Sequence, residues 1–257
     1  MTMRLLNQKA GIKPVLQLLS ILLAAGAFKL YYSAASVEGL CWILFPTARL
    51  TELVTGMPFE FESYAGYMSG DRTFLIAASC SGVNFLIAAF VMLALSRLRP
   101  GRREGISWWF LPSAAVVAYI ATIVANTVRI SSAMWLNSSR PDIAGLGRDE
   151  LHRLDGILIY FGSLLLLYVV TQRGAHSRGV KRYLLPLGVY YATTLGIPLV
   201  NGAFRRGSEF WEHALFVLLV PVVLIGTAAT VSRLLRSYRE RMGHYRPGRS
   251  INDPMVQ

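Results

Sequence analysis

Ala77-Ala78-Ser79-Cys80-Ser81-Gly82-Val83-Asn84 opens an apolar run, Val83 to Leu95, that closes on Arg97, Arg99, Arg102 and Arg103. Read as a helix from Cys80 to Leu98, the segment is ~27 Å long at 1.5 Å per residue, close to the thickness of a bilayer's hydrocarbon core. The basic cluster then anchors one end, and the fold class follows: an all-α polytopic membrane protein. Composition agrees, with 54% hydrophobic and only 16% charged residues. The net charge of +12 invites a nucleic-acid reading, but basic blocks set between long apolar runs are topology signals first.

Working outward, further runs appear on both sides. Arg4, Lys9 and Lys13 precede a span from Val15 to about Tyr32. No small-x-small cleavage site followed by a soluble domain succeeds it, so it reads as an anchor rather than a signal peptide. Between Glu38 and Arg72 the character is mixed. Leu40 to Phe45 is apolar, Pro46 is expected to break it, and Ala48 to Val54 suits a short interfacial amphipathic helix. Phe59-Glu60-Phe61-Glu62 alternates apolar and acidic residues, and Gly66 and Gly70-Asp71 supply turns before Thr73-Phe74-Leu75-Ile76, so a small hairpin is expected ahead of the second span.

Beyond the arginine cluster a third span starts at Trp108-Trp109 and continues through Ala125 toward Trp135, a fourth runs from Leu151-His152 through Val170, a fifth from Tyr183 to about Val200, and a sixth from His213 to about Val231. Pro186 and Pro198 in the fifth require packed neighbours to satisfy the freed carbonyls. Most of the 26 basic residues fall on one side of these spans, and of the 14 acidic residues only Glu104, Glu240 and Asp253 join them. The positive-inside rule then puts both termini in the cytoplasm and the hairpin outside. Residues 1–242 read as one membrane domain, and 243–257 as a disordered cytoplasmic tail.

This topology has a chemical consequence. Cys80, Arg129, His152 and His213 all fall at the outer ends of spans; Arg129 lies ~31 Å along its helix from Trp108. A thiol at a helix N-terminus meets free N–H groups and the positive end of the dipole, which favour a thiolate. An intramembrane arginine is costly without a function. Cysteine, histidine and arginine suit acyl transfer: a thiolate to attack a carbonyl, an imidazole to carry the proton, a guanidinium to steady the oxyanion. Each residue also has an ordinary structural role open to it, in packing, capping or snorkelling. Two cysteines, Cys41 and Cys80, are too few for a disulfide framework and lack metal-ligand spacing; a bridge between them needs one particular fold-back of the chain.

Three stretches resemble the exosortases, membrane-embedded cysteine transpeptidases related to the archaeosortases. Ala77-Ala78-Ser79-Cys80-Ser81-Gly82 is similar to their Cys-Ser-Gly nucleophile motif, Asn126-Thr127-Val128-Arg129-Ile130 to their Asn-x-x-Arg motif, and His152-Arg153-Leu154-Asp155-Gly156 to their His-x-x-x-Gly motif. They occur in the family's order over about residues 56–170. The chain before the cysteine is shorter than in the typical eight-span member and two spans follow the histidine, which points to a short divergent subgroup, the K type. The resemblance implies catalysis by Cys80, Arg129 and His152 without metal or cofactor. It implies secreted substrates whose C-terminal sorting signal combines a recognition motif, a membrane helix and a basic tail. Cleavage through a thioester and transfer to an amine, hydroxyl or water would occur on the outer face of a bacterial inner membrane. Asn126 and Ser81 are second choices for orienting the site, and His213, which lacks a glycine four residues on, is the rival histidine. Two other classes stay open on the residues alone: a transporter or channel in which Arg129 binds an anion, and a non-catalytic membrane component of an export or polysaccharide system.

Overall fold

The computed structural model describes residues 12–98, 107–139, 147–172 and 183–244. The arginines at 99, 102 and 103, most of the loop after Ser139, the basic loop at 173–182 and the tail beyond His244 lie outside them, as do Arg4 and Lys9. Five helical segments among the described residues are long and apolar enough to cross a membrane: Ile12–Ala34, Ala78–Arg97, Phe110–Ser139, Glu150–Thr171 and Phe210–Leu234. The expected fifth span is a shorter apolar helix, Leu184–Val200. The protein is a helical, multi-pass membrane protein.

Helix α1 (Ile12–Ala34) buries only Gln17 and Ile21. Its remaining apolar surface suits lipid, which solvates leucine as well as another helix does. Helix α3 (Val83–Arg97) is the opposite case. Phe85, Leu86, Ile87, Ala88, Ala89, Met92, Leu93 and Ala94 are all buried, so it is packed on nearly every side and forms the axis of the bundle. Helices α4 (Phe110–Ser139) and α5 (Arg148–Thr171) lie against it and against each other. Alanines at 88, 89, 114, 118 and 125 line these contacts, and small residues let helix backbones approach where the hydrophobic effect supplies no drive.

Two expectations are corrected here. Pro46 does not break its helix: α2 (Cys41–Thr55) runs through it. A helical proline strands the carbonyl four residues earlier, here that of Trp42. The phenol of Tyr119 on α4 donates to that oxygen at 2.7 Å, so tertiary structure replaces the missing bond. The second correction concerns Cys80, which is not the first residue of a helix. Ala78–Cys80 form a 3-10 turn, Gly82 follows at φ 72°, and α3 begins only at Val83. The left-handed glycine breaks the chain direction, so the thiol stands on a turn ahead of the helix.

The expected hairpin is present and gains a strand. β1 (Phe59–Glu62), β2 (Gly66–Ser69) and β3 (Leu75–Ile76) form an antiparallel sheet in the order β1-β2-β3, with Phe59 opposite Ser69 and Tyr67 opposite Ile76. Phe59 and Tyr67 are buried against α2. The Tyr64 amide, at the tip of the first turn, donates to Glu38 at 2.9 Å, and this bond holds the Glu38 carboxyl below its usual range. Asp71 organises the second turn, taking Ser69 Oγ at 2.7 Å and the Thr73 hydroxyl at 2.8 Å; these bonds likewise hold its carboxyl low.

The last part of the chain comprises α6 (Leu184–Tyr191), a π-helical turn (Ala192–Gly196), α7 (Ile197–Val200) and α8 (Ser208–His244). Pro186 sits in the first turn of α6, where its missing N–H frees no carbonyl within that helix. Pro198 comes two residues after the end of the π turn, a widening that accommodates a residue unable to join the ordinary ladder. Helix α8 begins five residues before His213, so that histidine lies within a helix rather than at its mouth. It also carries Gly243 into the helix, one of the residues expected in the tail.

Candidate active site

Cys80 is partly exposed at the end of its 3-10 turn, where its amide bonds to the Ala77 carbonyl at 2.8 Å. The turn is pressed onto α4 through Gly82. A Cβ at that position would lie 3.1 Å from Thr122 Cγ2 and 3.2 Å from Asn126 Cγ. The third residue of Cys-Ser-Gly is therefore glycine for two reasons, its positive φ and its close approach to α4.

Asn126, fully buried, uses both ends of its amide. Nδ2 donates to the Cys80 carbonyl at 2.6 Å, and Oδ1 accepts from the Tyr160 hydroxyl at 2.8 Å. Tyr160 in turn stacks on Phe85 with ring centroids 5.3 Å apart, and its own ring carries the Arg129 guanidinium, with Cζ 5.2 Å from the centroid. One turn on from Asn126, Arg129 reaches His152, with Nη2 3.5 Å from Nε2. In that contact the guanidinium is the donor and the imidazole offers a lone pair. Gly156 makes the space: a Cβ there would lie 3.2 Å from Arg129 Nε. The glycine of His-x-x-x-Gly is thus clearance for the arginine of Asn-x-x-Arg.

A carboxylate completes the cluster. Ser132 Oγ lies 2.7 Å from Asp155 Oδ2 and 2.9 Å from the Arg129 carbonyl, and Asp155 is within electrostatic reach of both His152 and Arg129. The Arg129 guanidinium thereby has a counter-charge on the facing helix, one turn from His152. Among the described residues no three His, Cys, Asp or Glu side chains assemble a metal-binding group.

The structure therefore brings Cys80, Asn126, Arg129 and His152 into one hydrogen-bonded and stacked network. Ser81 does not join it. The residue is fully buried, yet its Oγ has no partner among the described residues, and Arg129 Nε is also unpaired. His213 is elsewhere: α8 packs on α5 and sets this ring under the influence of Arg153. Cys41 and Cys80 are both free thiols, with no bridge between them; Cys41 Sγ turns back to the Val37 carbonyl at 3.6 Å.

Tyr160 is the component that sequence inspection misses. Its signal was available, since 152, 156 and 160 repeat at intervals of four and share one face of α5. What that face meets is knowable only once α4 is docked on it.

An open cleft of about 350 Å³ adjoins the network. Ala133, Leu136 and Asn137 of α4 form one wall and Leu151 and His152 of α5 another; Thr73 and Phe74, just before β3, close the third side. A family model described as transmembrane exosortase matches residues 12–169, from the start of α1 nearly to the end of α5. No curated protein and no solved structure matches the chain.

Proposed function

The chain belongs to the transmembrane exosortase family, and from that premise we propose that it is a membrane-embedded cysteine protease and transpeptidase in which Cys80, Arg129 and His152 carry the chemistry. The observation that supports the reading best is the way α4 links three separated motifs: Asn126 bonds the Cys80 carbonyl at 2.6 Å and Arg129 meets His152 at 3.5 Å. An accidental scatter of polar residues gives no reason for Gly82 and Gly156 to clear space for Asn126 and Arg129 respectively.

Cys80 gives its thiol proton to His152, the thiolate attacks the scissile carbonyl, and the negative charge moves to the carbonyl oxygen. Arg129 faces that oxyanion with a charge already in place. Collapse of the tetrahedral species breaks the C–N bond, with His152 giving a proton to the departing amine and a thioester remaining on Cys80. An amine, hydroxyl or water then attacks the thioester, passes its proton to His152 and returns the thiolate. Asn126 holds the backbone of the nucleophile still throughout.

Substrates in this reading are secreted proteins ending in a sorting signal of recognition motif, membrane helix and basic tail. The protein sits in a bacterial inner membrane with both termini cytoplasmic and the site on the outer face. This orientation rests on the bias of arginine and lysine toward one set of loops. The decisive experiment is to trap a thioester between Cys80 and a co-expressed substrate. Loss of processing in Cys80→Ala, Arg129→Ala and His152→Ala is expected; full processing by Cys80→Ala would refute the mechanism.

A further inference from the structure

We propose that the free edge of β3 and the cleft beside it bind the substrate peptide. An extended segment next to the cleaved bond adds to β3 as a further strand and places one side chain between Phe74, Leu136 and Leu151. The inference rests on the peptidase reading above and supplies what that reading lacks, a place where the recognition motif is read.

Among the described residues the strand order β1-β2-β3 leaves β3 with an unpaired edge. Phe74 faces β2 with both backbone groups: its carbonyl accepts from the Ser69 amide at 2.9 Å, and its amide donates to Ser69 Oγ at 2.9 Å. Alternation along an antiparallel ladder then turns the N–H and C=O of Leu75 the other way, toward the open edge. One donor and one acceptor on a single residue are what an incoming strand needs to pair, and strand addition to a sheet edge is a recurrent mode of peptide recognition. The opposite edge is unsuited to it. β1 carries Glu60 and Glu62, and Glu62 is tied to Arg72 at 2.6 Å; charge on an edge strand discourages pairing.

Position favours a peptide destined for cleavage. β3 ends at Ile76, only four residues before Cys80. On the other wall, Ala133 and Leu136 continue the face of α4 that carries Arg129, ~6 to ~10 Å further along at 1.5 Å per residue. His152 belongs both to the cleft lining and to the contact with Arg129. A chain seated in the cleft therefore meets the proposed proton carrier, His152, and lies along the strand that leads to the nucleophile four residues on. The occupant is an extended peptide because the volume, about 350 Å³, lies at the lower end for small-ligand pockets, too small for a helix ~10 Å across. Apolar walls rimmed by Thr73 and Asn137 fit a medium-sized apolar side chain beside a polar backbone, a pairing that a lipid tail does not offer.

The test uses the full-length protein in its host membrane, with the host's own secreted proteins as probe. Mass spectrometry of C-terminal peptides defines the set that loses its terminal helix with the wild type and keeps it with Cys80→Ala. In Leu136→Trp, which fills the cleft, processing of that set is expected to fall about tenfold or more, while Cys80 still reacts with a membrane-impermeant maleimide. Leu136→Ala is expected to favour substrates with a larger residue at one fixed position. A second measurement leaves the enzyme untouched: a proline scan of the four residues before the cleaved bond should show one position of deepest loss, where a substrate amide meets Leu75. Wild-type processing by Leu136→Trp, or even tolerance of proline at all four positions, overturns the inference alone. Helix loss that persists in Cys80→Ala overturns the peptidase reading and the inference with it.

Discussion

The guanidinium of Arg129 rests on the ring of Tyr160, with Cζ 5.2 Å from the ring centroid. The same phenol donates to Asn126 at 2.8 Å, so one side chain supports both the cation and the residue that holds the Cys80 backbone. Removing only the hydroxyl breaks one of these functions. Tyr160→Phe keeps the aromatic platform and loses a hydrogen bond worth ~0.5–1.5 kcal/mol, so processing should fall roughly threefold to tenfold. Tyr160→Ala loses the platform too and should fall further. Equal losses in the two variants, measured as processing rates at matched protein levels, would show that the ring contributes nothing.

Gly156 is clearance for Arg129. In Gly156→Ala the new Cβ would press on the guanidinium, which sits 3.2 Å from its position, while the helix itself gains a better former than glycine. The expected outcome is separation of two properties that usually move together: unchanged or higher thermal stability in detergent, with processing reduced by roughly an order of magnitude for about 1.4 kcal/mol of misplacement. Melting curves and processing assays on the same preparation check both.

Asp71 makes the sheet sensitive to acid. Its carboxyl is held below the usual range by Ser69 and Thr73. A group whose folded pKa is depressed contributes stability above its unfolded pKa of about 3.9 and loses it as pH falls through the folded value. Wild type should therefore be more stable than Asp71→Asn at about pH 5, and the gap should close on acidification below about pH 4. Melting temperatures of the pair across that range provide the measurement; a gap independent of pH would exclude the carboxylate as its cause.

Pro46 and Tyr119 form a testable couple. Tyr119→Phe strands the Trp42 carbonyl, which costs ~1–3 kcal/mol if the group is left unsatisfied. In a Pro46→Ala background the new amide at 46 can take that carbonyl, and Tyr119→Phe should become nearly neutral. A double-mutant cycle on thermal stability should give a coupling of ~1 kcal/mol or more; additivity would mean that the phenol is not the replacement partner.

The outline of the bundle was readable because long apolar runs and basic loops are local signals, and α3, α4 and α5 fall close to where hydropathy put them. The breaks were harder. Pro46 is a helix breaker by its own chemistry, and only the distant Tyr119, on another helix, lets α2 continue through it. At Gly82 the difference runs the other way: apolar continuity from Cys80 suggests one helix, and a positive φ divides it. The site was legible as residue types and order. Gly156 already favoured His152 over His213 through the resembled motif, but that His152 is the neighbour of Arg129 comes from the contact between α4 and α5, which no spacing within either helix encodes. For Tyr160 the shared face with His152 and Gly156 could be read, but what that face meets could not.

Gly82 has one more effect. By ending the turn before α3 starts, it leaves Cys80 on a short link, joined covalently to the sheet through Ile76 and Ala77 and to α3 through Ser81 and Gly82, with the Asn126 amide bond as a further tie to α4. The sheet is small and built on turns, while the bundle is wide and close-packed. Cys80 thus stands between a light part and a heavy one, and a load on the sheet edge is shared between the chain at Gly82 and the Asn126 contact.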